Sequence, residues 1–347
     1  MTRLIEIHSP SGDVSLRPRP APETVLLVIP TLNEEAHIEH TLDQLLRGRY
    51  GAERVETVVA DGGSTDRTRA LVTAYAERNP NVRLIDNPRR LQSAAVNLAV
   101  SSCARPEHRV LVRCDAHAIY PPGYVLSVAN SLMGREADAL ATVMDAVGET
   151  CFERALAAIV DTPLGSGGSG HRGGTRSGYV DHGHHAGFRL DMWRKVGGYN
   201  ESFAANEDAE LDHRISLAGG RIWLDAGIRM KYKVRPSPAR LARQYWLYGR
   251  GRAQTVTTHG LRPRLRQRIP VIALVVNILS LLGGALLHPA LFLPLAVYLL
   301  TLCAASAYLV LRMRSACGLW GGVALFAMQM FWGAGYLRQR LAGPGAR

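Results

Sequence analysis

The chain has 347 residues, enough for one large domain plus an appendage or for two domains, and a formal net charge of +12. That charge is unevenly distributed, because the 122 residues after Asp225 contain 17 lysines and arginines and no acidic side chain, whereas residues 1–225 carry 24 basic against 29 acidic side chains. A mildly acidic first part argues against the nucleic-acid-binding class that a strongly basic chain suggests.

The first part of the chain alternates between apolar strands and amphipathic helices. The predicted strands are Thr24–Pro30, Val55–Ala60, Val82–Ile85 and one ending at Asp115. The predicted helices are the stretch EEAHIEHTLDQLL from Glu34 to Leu46, whose apolar residues have helical spacing, Thr65–Arg78 and Gln92–Ser102. This alternation indicates a doubly wound, mostly parallel sheet. Polar residues follow three of the strands, at Pro30–Glu35, Asp61–Asp66 and Asp115–His117. Ligands bind at the carboxyl ends of such strands, so these residues predict a ligand crevice.

The second strand ends in Asp61, which is followed by two glycines. Gly62 and Gly63 provide a bend, and Ser64 or Asp66 can cap the next helix. Asp61 precedes the bend, so a bend followed by a helix cap leaves it without a role. This favours a binding function for its carboxylate. An Asx-turn is the alternative.

A glycine- and serine-rich segment, Gly165–Phe188, carries His182, His184 and His185. A zinc site is conceivable there, but no cysteine or HxxxH spacing supports it. The composition predicts a flexible loop that closes over bound substrates. One of His184 and His185 can approach a ligand, and a structural role for either is equally compatible with the pattern.

The rear of the chain predicts insertion into a membrane. Pro270 to Leu311 and Ser315 to Leu337 contain no Asp, Glu, Lys or Arg, and a span needs about 20 apolar residues. The first run is long enough for two spans that turn near His288–Pro289, and the second for one more. Arginines before the first span and after the second place both flanks in the cytoplasm. A full third span would leave Arg338, Arg340 and Arg347 outside, against that rule; the alternative is a bent or re-entrant segment, marked by Gly321–Gly322 and Gly333–Gly335.

Two further features fit a cytoplasmic catalytic part. Residues 1–24 are polar and proline-broken, without the apolar core of a signal peptide. The five cysteines show no paired spacing and are expected to be reduced and mostly buried.

Four motifs, in this order, resemble family 2 glycosyltransferases of the GT-A fold: VIPTLNEE, VVADGGSTD, DAH after a strand, and NEDAELDHR. The middle section and the tail are similar to the ExoA-type succinoglycan glycosyltransferases, and the resemblance covers about residues 24–340. It implies an α/β protein with a GT-A-type doubly wound, mostly parallel sheet followed by a C-terminal helical membrane region. The expected parts are a cytoplasmic catalytic domain (1–235), a basic amphipathic interface segment (236–268) and a transmembrane region of two to three spans (269–340).

The resemblance also implies roles for single residues. Asp61 is expected to accept a hydrogen bond from the uracil N3–H of a UDP-sugar. Glu34 is expected to bind the nucleoside, although the preference of helix N-termini for acids explains it equally well. The other residues expected to bind nucleotide or substrate are Pro30, Thr31, Gln92, Asp115, His184, His185, Glu207, Gln244, Arg250 and Arg252.

Asp115 and His117 are the expected metal ligands. A divalent cation, Mn²⁺ or Mg²⁺, would neutralise the sugar diphosphate as a Lewis acid. Family members usually carry a second acid at the place of His117, so this chain departs from the pattern; a helix cap plus a solvent-exposed histidine is the alternative. Asp208 is the expected general base of an inverting transfer, and Glu207 is the nearest replacement for it.

The segment before the membrane narrows the expected reaction. Processive polysaccharide synthases of this family carry a QxxRW motif near this point. The residues that follow Gln244 do not match it, and the mismatch favours an enzyme that adds a single sugar. Arg250 and Arg252 are expected to contact the donor diphosphate or a lipid diphosphate, and an interfacial role is the alternative.

The implied enzyme is a metal-dependent hexosyltransferase. It would move a hexose, glucose by resemblance, from a UDP-sugar onto a lipid-linked (polyprenyl diphosphate) saccharide in exopolysaccharide or cell-surface glycan synthesis. The site of action would be the cytoplasmic face of the inner (plasma) membrane. A polyprenyl-phosphate sugar synthase is the nearest alternative. A non-catalytic nucleotide-binding scaffold does not explain the two acids Asp115 and Asp208, and a dinucleotide oxidoreductase would need a GxGxxG motif after the first strand.

Overall fold

The computed structural model describes residues 21, 24–48 and 51–343; much of the beginning of the domain predicted for residues 1–235 lies outside these ranges. The strands are β1 (Val25–Thr31), β2 (Glu56–Asp61), β3 (Val82–Asp86), β4 (Val110–Arg113), β5 (Ala139–Val147), β6 (Gly178–Val180), β7 (His185–Arg189) and β8 (Ile222–Lys233). The helices are α1 (Ile38–Leu46), α2 (Thr68–Arg78), α3 (Gln92–Cys103), α4 (Tyr124–Met133), α5 (Cys151–Val160), α6 (Pro163–Ser166), α7 (Leu190–Val196), α8 (Glu207–Leu217), α9 (Pro238–Thr258), α10 (Leu265–Leu286), α11 (Leu293–Met313) and α12 (Trp320–Ala342).

The strands form one mixed sheet in the order β3-β2-β1-β4-β7-β5-β8-β6. β1 pairs in parallel with β2 and β4, and β2 with β3, whereas β7 runs antiparallel to both β4 and β5. The strands predicted from the sequence are therefore confirmed, with ends that differ by a residue or two. Thr31 pairs with Asp61, and Val28 pairs with Arg113, so the residues after β1, β2 and β4 meet at one edge of the sheet.

Helices cover both faces of this sheet, as the doubly wound prediction requires. Leu27 and Ile29 of β1 point into a core with α1, α2 and α4, while Leu26 and Val28 point into a second core with α3, α7 and α8. Because successive side chains of a strand alternate between faces, a strand buried on both sides must be apolar throughout. That is why β1 has the sequence VLLVIPT.

The glycine-rich segment is less irregular than its composition predicts, since it contains α6 and β6. It is tied to β5, because the Met144 backbone N–H donates to the His171 carbonyl at 2.9 Å. The Arg172 guanidinium lies over the Tyr232 ring, 4.9 Å from its centroid. The segment therefore packs against the sheet rather than forming an unanchored loop.

Two of the five cysteines are paired. Cys151, at the start of α5, forms a disulfide with Cys317, which lies between α11 and α12. The expectation that the cysteines are unpaired is wrong for these two. They are 166 residues apart in sequence. Their spacing therefore does not indicate a disulfide, because the two cysteines meet only when the tail packs against α5.

Three helical segments of the tail are long and apolar enough to cross a membrane: Leu265–Leu286, Pro289–Met313 and Ala316–Ala342. The first two form a hairpin. In the most apolar stretch of each of these two helices only 11% of the residues are buried, whereas 56% are buried in the corresponding stretch of the third helix. The difference arises because α12 packs along α9. Gly249 of α9 lies against the backbone of Trp332, and Gly335 of α12 lies against the backbone of Trp246.

Gly335→Ala is expected to destabilise the protein. A Cβ at this position would lie 2.1 Å from the Trp246 carbonyl oxygen, so the two helices would have to separate. Overpacking of this kind costs about 1–3 kcal/mol. Thermal unfolding of the full-length protein in detergent measures the effect. Gly178→Ala is the matched control, because a Cβ at Gly178 has no neighbouring atom within 4 Å; equal melting temperatures for the two variants would contradict the close approach of α9 and α12.

Candidate active site

The crevice at the ends of β1, β2 and β4 contains residues predicted to bind a nucleotide. Pro30 and Thr31 end β1, and the Thr31 side chain is buried. Its hydroxyl oxygen has no hydrogen-bond partner among the described residues. A buried hydroxyl without a partner is costly, so this group is available for a ligand that enters the crevice.

Asp61 is held more tightly than the sequence predicts. Its carboxylate is buried and accepts hydrogen bonds from the backbone N–H groups of Gly63 and Ser64, each at 3.0 Å, and from the Ser64 hydroxyl. Arg69 donates to the same carboxylate at 2.9 Å. Although burial raises the pKa of Asp61, these hydrogen bonds lower it below its usual value. Asp61 therefore forms the Asx-turn that was the alternative interpretation, and the expectation that it has no capping role is wrong; its contact with uracil stays a prediction.

Glu34 and His117 contact each other. The Glu34 Oε1 and His117 Nδ1 atoms are 2.7 Å apart, and this hydrogen bond raises the pKa of the His117 imidazole. The sequence placed Glu34 at the nucleoside and His117 at a metal ion beside Asp115. The structure instead joins His117 to Glu34 through one ring nitrogen, which leaves only Nε2 of His117 for any other ligand.

Asp115 follows β4 and one of its carboxylate oxygens is fully occupied. Oδ1 accepts from Gln92 Nε2 at 3.0 Å and from Arg113 Nη2 at 3.3 Å. The second oxygen, Oδ2, lies 3.9 Å from His184 Nε2. Although burial raises the pKa of Asp115, the Arg113 guanidinium and the nearby histidines lower it below its usual value. Gln92 thus positions Asp115 in addition to any contact with a substrate.

Arg113 connects the two acids of the site and was not singled out from the sequence. Its side chain is almost fully buried and donates to Asp115, to Asp208 at 3.0 Å and to the Tyr199 hydroxyl at 3.0 Å. The signal was present, because an arginine inside the buried run VLVR needs a buried partner.

Asp208 lies in the first turn of α8 and is held as an anion. Its Oδ1 accepts from Arg113 and from the Tyr199 hydroxyl at 2.6 Å. Although burial raises the pKa of Asp208, Arg113 and the nearby histidines outweigh that effect and lower it. Burial, followed by repulsion from Asp208, raises the pKa of the neighbouring Glu207. Asp208 is therefore the more acidic of the two adjacent carboxyl groups.

His184 lies between the two acids. Its Nδ1 is 3.8 Å from Asp208 Oδ2, and its Nε2 faces Asp115. Burial, reinforced by the charge of Arg113, lowers the pKa of His184 to about 4, so the imidazole is neutral. His185 is different, since its Nε2 is hydrogen-bonded to Asp212, which also accepts from His182 Nδ1 at 2.6 Å. His185 is thus a structural histidine, and His184 is the one that faces the site.

The donor set fits a divalent cation that a substrate helps to hold. In the described part of the chain, no three histidine, cysteine or acidic side chains are already arranged around one position. However, Asp115 Oδ2 and the neutral His184 Nε2 face each other at 3.9 Å, too far for a hydrogen bond, so Oδ2 keeps a lone pair for an ion and Nε2 does so in the tautomer protonated at Nδ1. Ions of this class commonly take few protein ligands and complete their coordination with substrate phosphates.

The three candidates on α9 have separate surroundings. The Gln244 amide contacts the hydroxyls of Tyr248 at 2.9 Å and Tyr232 at 3.3 Å. Arg250 donates to Gln339 of α12 at 3.2 Å, away from the acids of the crevice. Arg252 makes no hydrogen bond or ion pair with any described residue, and its charged neighbours are Arg264, Arg266 and Asp212. The structure thus brings Gln92, Asp115, His184 and Asp208 together and turns Arg250 toward the tail.

Comparison with known proteins identifies relatives of the whole chain. The model of the family described as Glycosyl transferase family 2 matches residues 26–197. The succinoglycan biosynthesis protein ExoA of Rhizobium meliloti (strain 1021) is 38% identical over 316 residues, which cover 91% of this chain and 94% of that protein. A glucuronosyltransferase of Methanococcus voltae, named for a dolichyl N-acetylglucosaminyl phosphate acceptor, is 23% identical over 235 residues, 65% of this chain and 71% of that protein.

Among solved structures, a mannosyltransferase of Pyrobaculum calidifontis, determined with GDP-Man and Mn²⁺, matches with a TM-score of 0.57. It is 18% identical, and the match covers 90% of this chain and 89% of that one. At this identity the likeness concerns the fold. The GT-A-type sheet followed by apolar C-terminal helices, predicted from the sequence, is thereby confirmed.

Proposed function

The chain belongs to glycosyl transferase family 2 and is of the ExoA type, and from this premise we propose that it is an inverting hexosyltransferase. It moves a hexose, glucose by analogy, from a UDP-sugar onto a lipid-linked saccharide in exopolysaccharide or cell-surface glycan synthesis. The observation that carries the proposal is the pairing of Asp115 and Asp208 through one buried arginine, Arg113. Two acids that share one buried arginine in a single crevice support a role for Asp115 on the diphosphate side and for Asp208 on the acceptor side.

The arrangement supports a direct displacement. The acceptor hydroxyl oxygen forms a bond to the anomeric carbon as the bond from that carbon to the diphosphate oxygen breaks; the bonding electrons leave with UDP, and the hydroxyl proton passes to Asp208 Oδ2. Arg113 and Tyr199 occupy Oδ1, so Oδ2 is the oxygen left to accept the proton. One base is sufficient because no covalent intermediate is formed.

Asp115 and His184 would hold a divalent cation, with Gln92 fixing the orientation of the Asp115 carboxylate. When bound, this cation supplies Lewis-acid stabilisation to the departing diphosphate. His117 is turned to Glu34 and carries a raised pKa, so its positive charge can meet the diphosphate directly rather than as a ligand of the ion. Thr31 offers its unpartnered hydroxyl on the nucleotide side.

A polyprenyl-phosphate sugar synthase is the second candidate, and one observation favours it. The pairing with Arg113 lowers the pKa of Asp208, which makes the carboxylate a weak base. A phosphate acceptor is already ionised and does not need its proton removed.

The two functions are separated by the acceptor that the purified full-length protein glycosylates. We expect transfer from UDP-glucose to a polyprenyl-diphosphate-linked saccharide in lipid nanodiscs, with inversion at the anomeric carbon as read by NMR of the product. Transfer to polyprenyl phosphate alone would favour the second candidate. Absence of transfer from a panel of UDP- and GDP-hexoses to either acceptor would refute both.

The protein is further proposed to lie in the inner (plasma) membrane with two spans, α10 and α11, and with α12 lying across the cytoplasmic side. Gly318, just before α12, contacts Val310 near the end of α11, and Gly333 of α12 contacts Pro270 near the start of α10. Arg340 at the end of α12 donates to Thr257 of α9 at 2.9 Å. These contacts support a helix whose two ends lie on the same side of the hairpin, which also agrees with the positive-inside rule.

A fluorescent protein fused after Arg347 is therefore expected to fold in the cytoplasm, whereas alkaline phosphatase fused there is expected to be inactive. Both fusions report the side of the membrane on which the C-terminus lies. As the control, alkaline phosphatase fused in the turn at His288–Pro289, between α10 and α11, is expected to be active. An active phosphatase at the C-terminus would show that α12 crosses the membrane.

A further inference from the structure

Arg252 of α9 and Arg264 and Arg266 at the start of α10 are close enough to repel one another electrostatically. Burial, reinforced by the charges of Arg266 and Arg264, lowers the pKa of Arg252 to about 10. Arg252 is partly buried and has no hydrogen bond or ion pair with any described residue. A charged group in this state is unfavourable unless a counter-charge arrives, so the arrangement calls for an anion.

No acid of the described residues serves as that counter-charge. Asp212 is the acid whose attraction reaches Arg252, but its two oxygens are taken by His182 and His185. Asp181 pairs with Arg264 at 2.8 Å in an exposed position. The chain after Asp225 contains no acid at all.

The arginines extend from the membrane segment toward the catalytic centre. Arg264 reaches Asp181 beside β6, and the Arg266 Nη1 atom donates to the Gly167 carbonyl at 3.3 Å in the glycine-rich segment. Asp212 lies one helical turn after Asp208 on α8, so the cluster adjoins the candidate base. On the other side, α10 begins at Leu265 and continues as the first apolar helix of the tail.

We propose that Arg252, Arg264 and Arg266 bind the diphosphate of the lipid-linked acceptor, with the lipid chain running along α10 and the sugar reaching Asp208. This inference rests on the proposed function, which places the acceptor in the bilayer. Three guanidinium groups offer the planar, multiple N–H donors that phosphate oxygens accept best. A general attraction to anionic headgroups does not explain why Arg264 and Arg266 contact the glycine-rich segment, at Asp181 and Gly167.

The test is a calorimetric titration of the detergent-solubilised full-length protein with three ligands: a short-chain isoprenyl diphosphate, inorganic pyrophosphate and a short-chain phosphatidylglycerol. UDP and Mn²⁺ are present at saturation, so that the donor site is filled. We expect the isoprenyl diphosphate to bind most tightly, and Arg252→Gln and Arg266→Gln to weaken it by about 10–100-fold each, the usual loss for a hydrogen bond between charged groups.

Arg262→Gln is the matched control, because it removes the same charge from the same basic segment outside the three-arginine cluster and is expected to leave binding unchanged. Equal losses in all three variants, or equal binding of phosphatidylglycerol, would overturn the site in favour of general attraction to the membrane surface. Pyrophosphate that binds as tightly as the isoprenyl diphosphate would overturn the lipid assignment. Isoprenyl diphosphate that binds only when UDP is left out would overturn the acceptor site and assign Arg252 to the donor. Because binding is read without turnover, a protein that binds the isoprenyl diphosphate but transfers no sugar would refute the proposed function alone.

Discussion

Asp208→Asn is expected to lower kcat by roughly 10²–10⁴-fold, the usual contribution of general acid–base catalysis. Asparagine keeps the shape of the side chain and can still accept from Arg113 and Tyr199 through its carbonyl oxygen, but it cannot take the acceptor proton. The affinity for UDP with Mn²⁺ is expected to change little, because Asp208 is not a proposed ligand of the donor. Steady-state kinetics together with calorimetry separate the two quantities.

Glu207→Gln is the matched control, since it neutralises the adjacent carboxyl group of the same helix turn. It is expected to cost much less. The pH dependence of kcat gives a second readout, because activity rises as the base ionises. With Asp208 as the base, its lowered pKa puts that rise below the ordinary carboxyl range; with Glu207 as the base, the raised pKa puts it above that range. If kcat rose at a pH above the ordinary carboxyl range, and Glu207→Gln removed that rise, Glu207 would be the base in place of Asp208. An Asp208→Asn protein with unchanged turnover on both acceptors would refute the assignment of Asp208.

The sequence predicted the positions of the polar residues better than their partners. β1, β2 and β4 follow from apolar runs, and because parallel strands end at the same edge, the clustering of Thr31, Asp61 and Asp115 follows as well. What a pattern cannot show is which neighbour a carboxylate takes. Asp61 closes its own turn through Ser64, a geometry that depends on local backbone angles and not on residue spacing.

His117 illustrates the same limit for residues far apart in the chain. Its spacing from Asp115 suggested a ligand pair at i and i+2, but the partner that the fold supplies is Glu34, 83 residues earlier. His184 shows the converse, because it reaches Asp115 and Asp208 from the glycine-rich segment, where the sequence could not choose between His184 and His185 as the residue that approaches a ligand. Arg113 was overlooked because a single charge in a strand is ordinarily a surface residue, although the apolar run before it was a signal of burial; the packed sheet shows that its partners are the two acids.

The tail repeats this lesson at the level of whole helices. Hydropathy identifies three apolar segments correctly but treats them as equivalent. Glycines in and just before α12 distinguish the third, since Gly318, Gly322 and Gly333 each lie against a neighbouring backbone that a side chain would displace. Such close packing is equally usual between membrane-spanning helices, so it is the position of the contacts, with Gly318 near the end of α11 and Gly333 near the start of α10, that supports the proposed two-span arrangement.

Asp115→Ala is expected to abolish the dependence of UDP binding on Mn²⁺. Asp115 Oδ2 is the one carboxylate oxygen of the pair that faces His184 without a hydrogen bond, so its removal takes away the anionic ligand of the proposed ion. Arg113 keeps its contacts with Asp208 and Tyr199, and the fold is expected to persist, as circular dichroism would check. Calorimetric titration of UDP with and without Mn²⁺ measures the effect.

Gln92→Ala and His117→Ala make this test quantitative. Gln92 orients the Asp115 carboxylate from outside the ion, and loss of such a partner typically weakens metal affinity by roughly 10–100-fold, so the Asp115→Ala loss should exceed it. His117→Ala should leave metal-dependent UDP binding closer to the original value than His184→Ala does, because His117 is engaged with Glu34 and His184 faces Asp115. If His117→Ala weakened metal-dependent UDP binding more than His184→Ala, the ion would lie on the Glu34 side of Asp115. That is the position that the spacing of Asp115 and His117 predicts. Unchanged affinity in the Asp115→Ala protein would remove the ion from the mechanism and leave Arg113 and His117 as the cations that face the diphosphate.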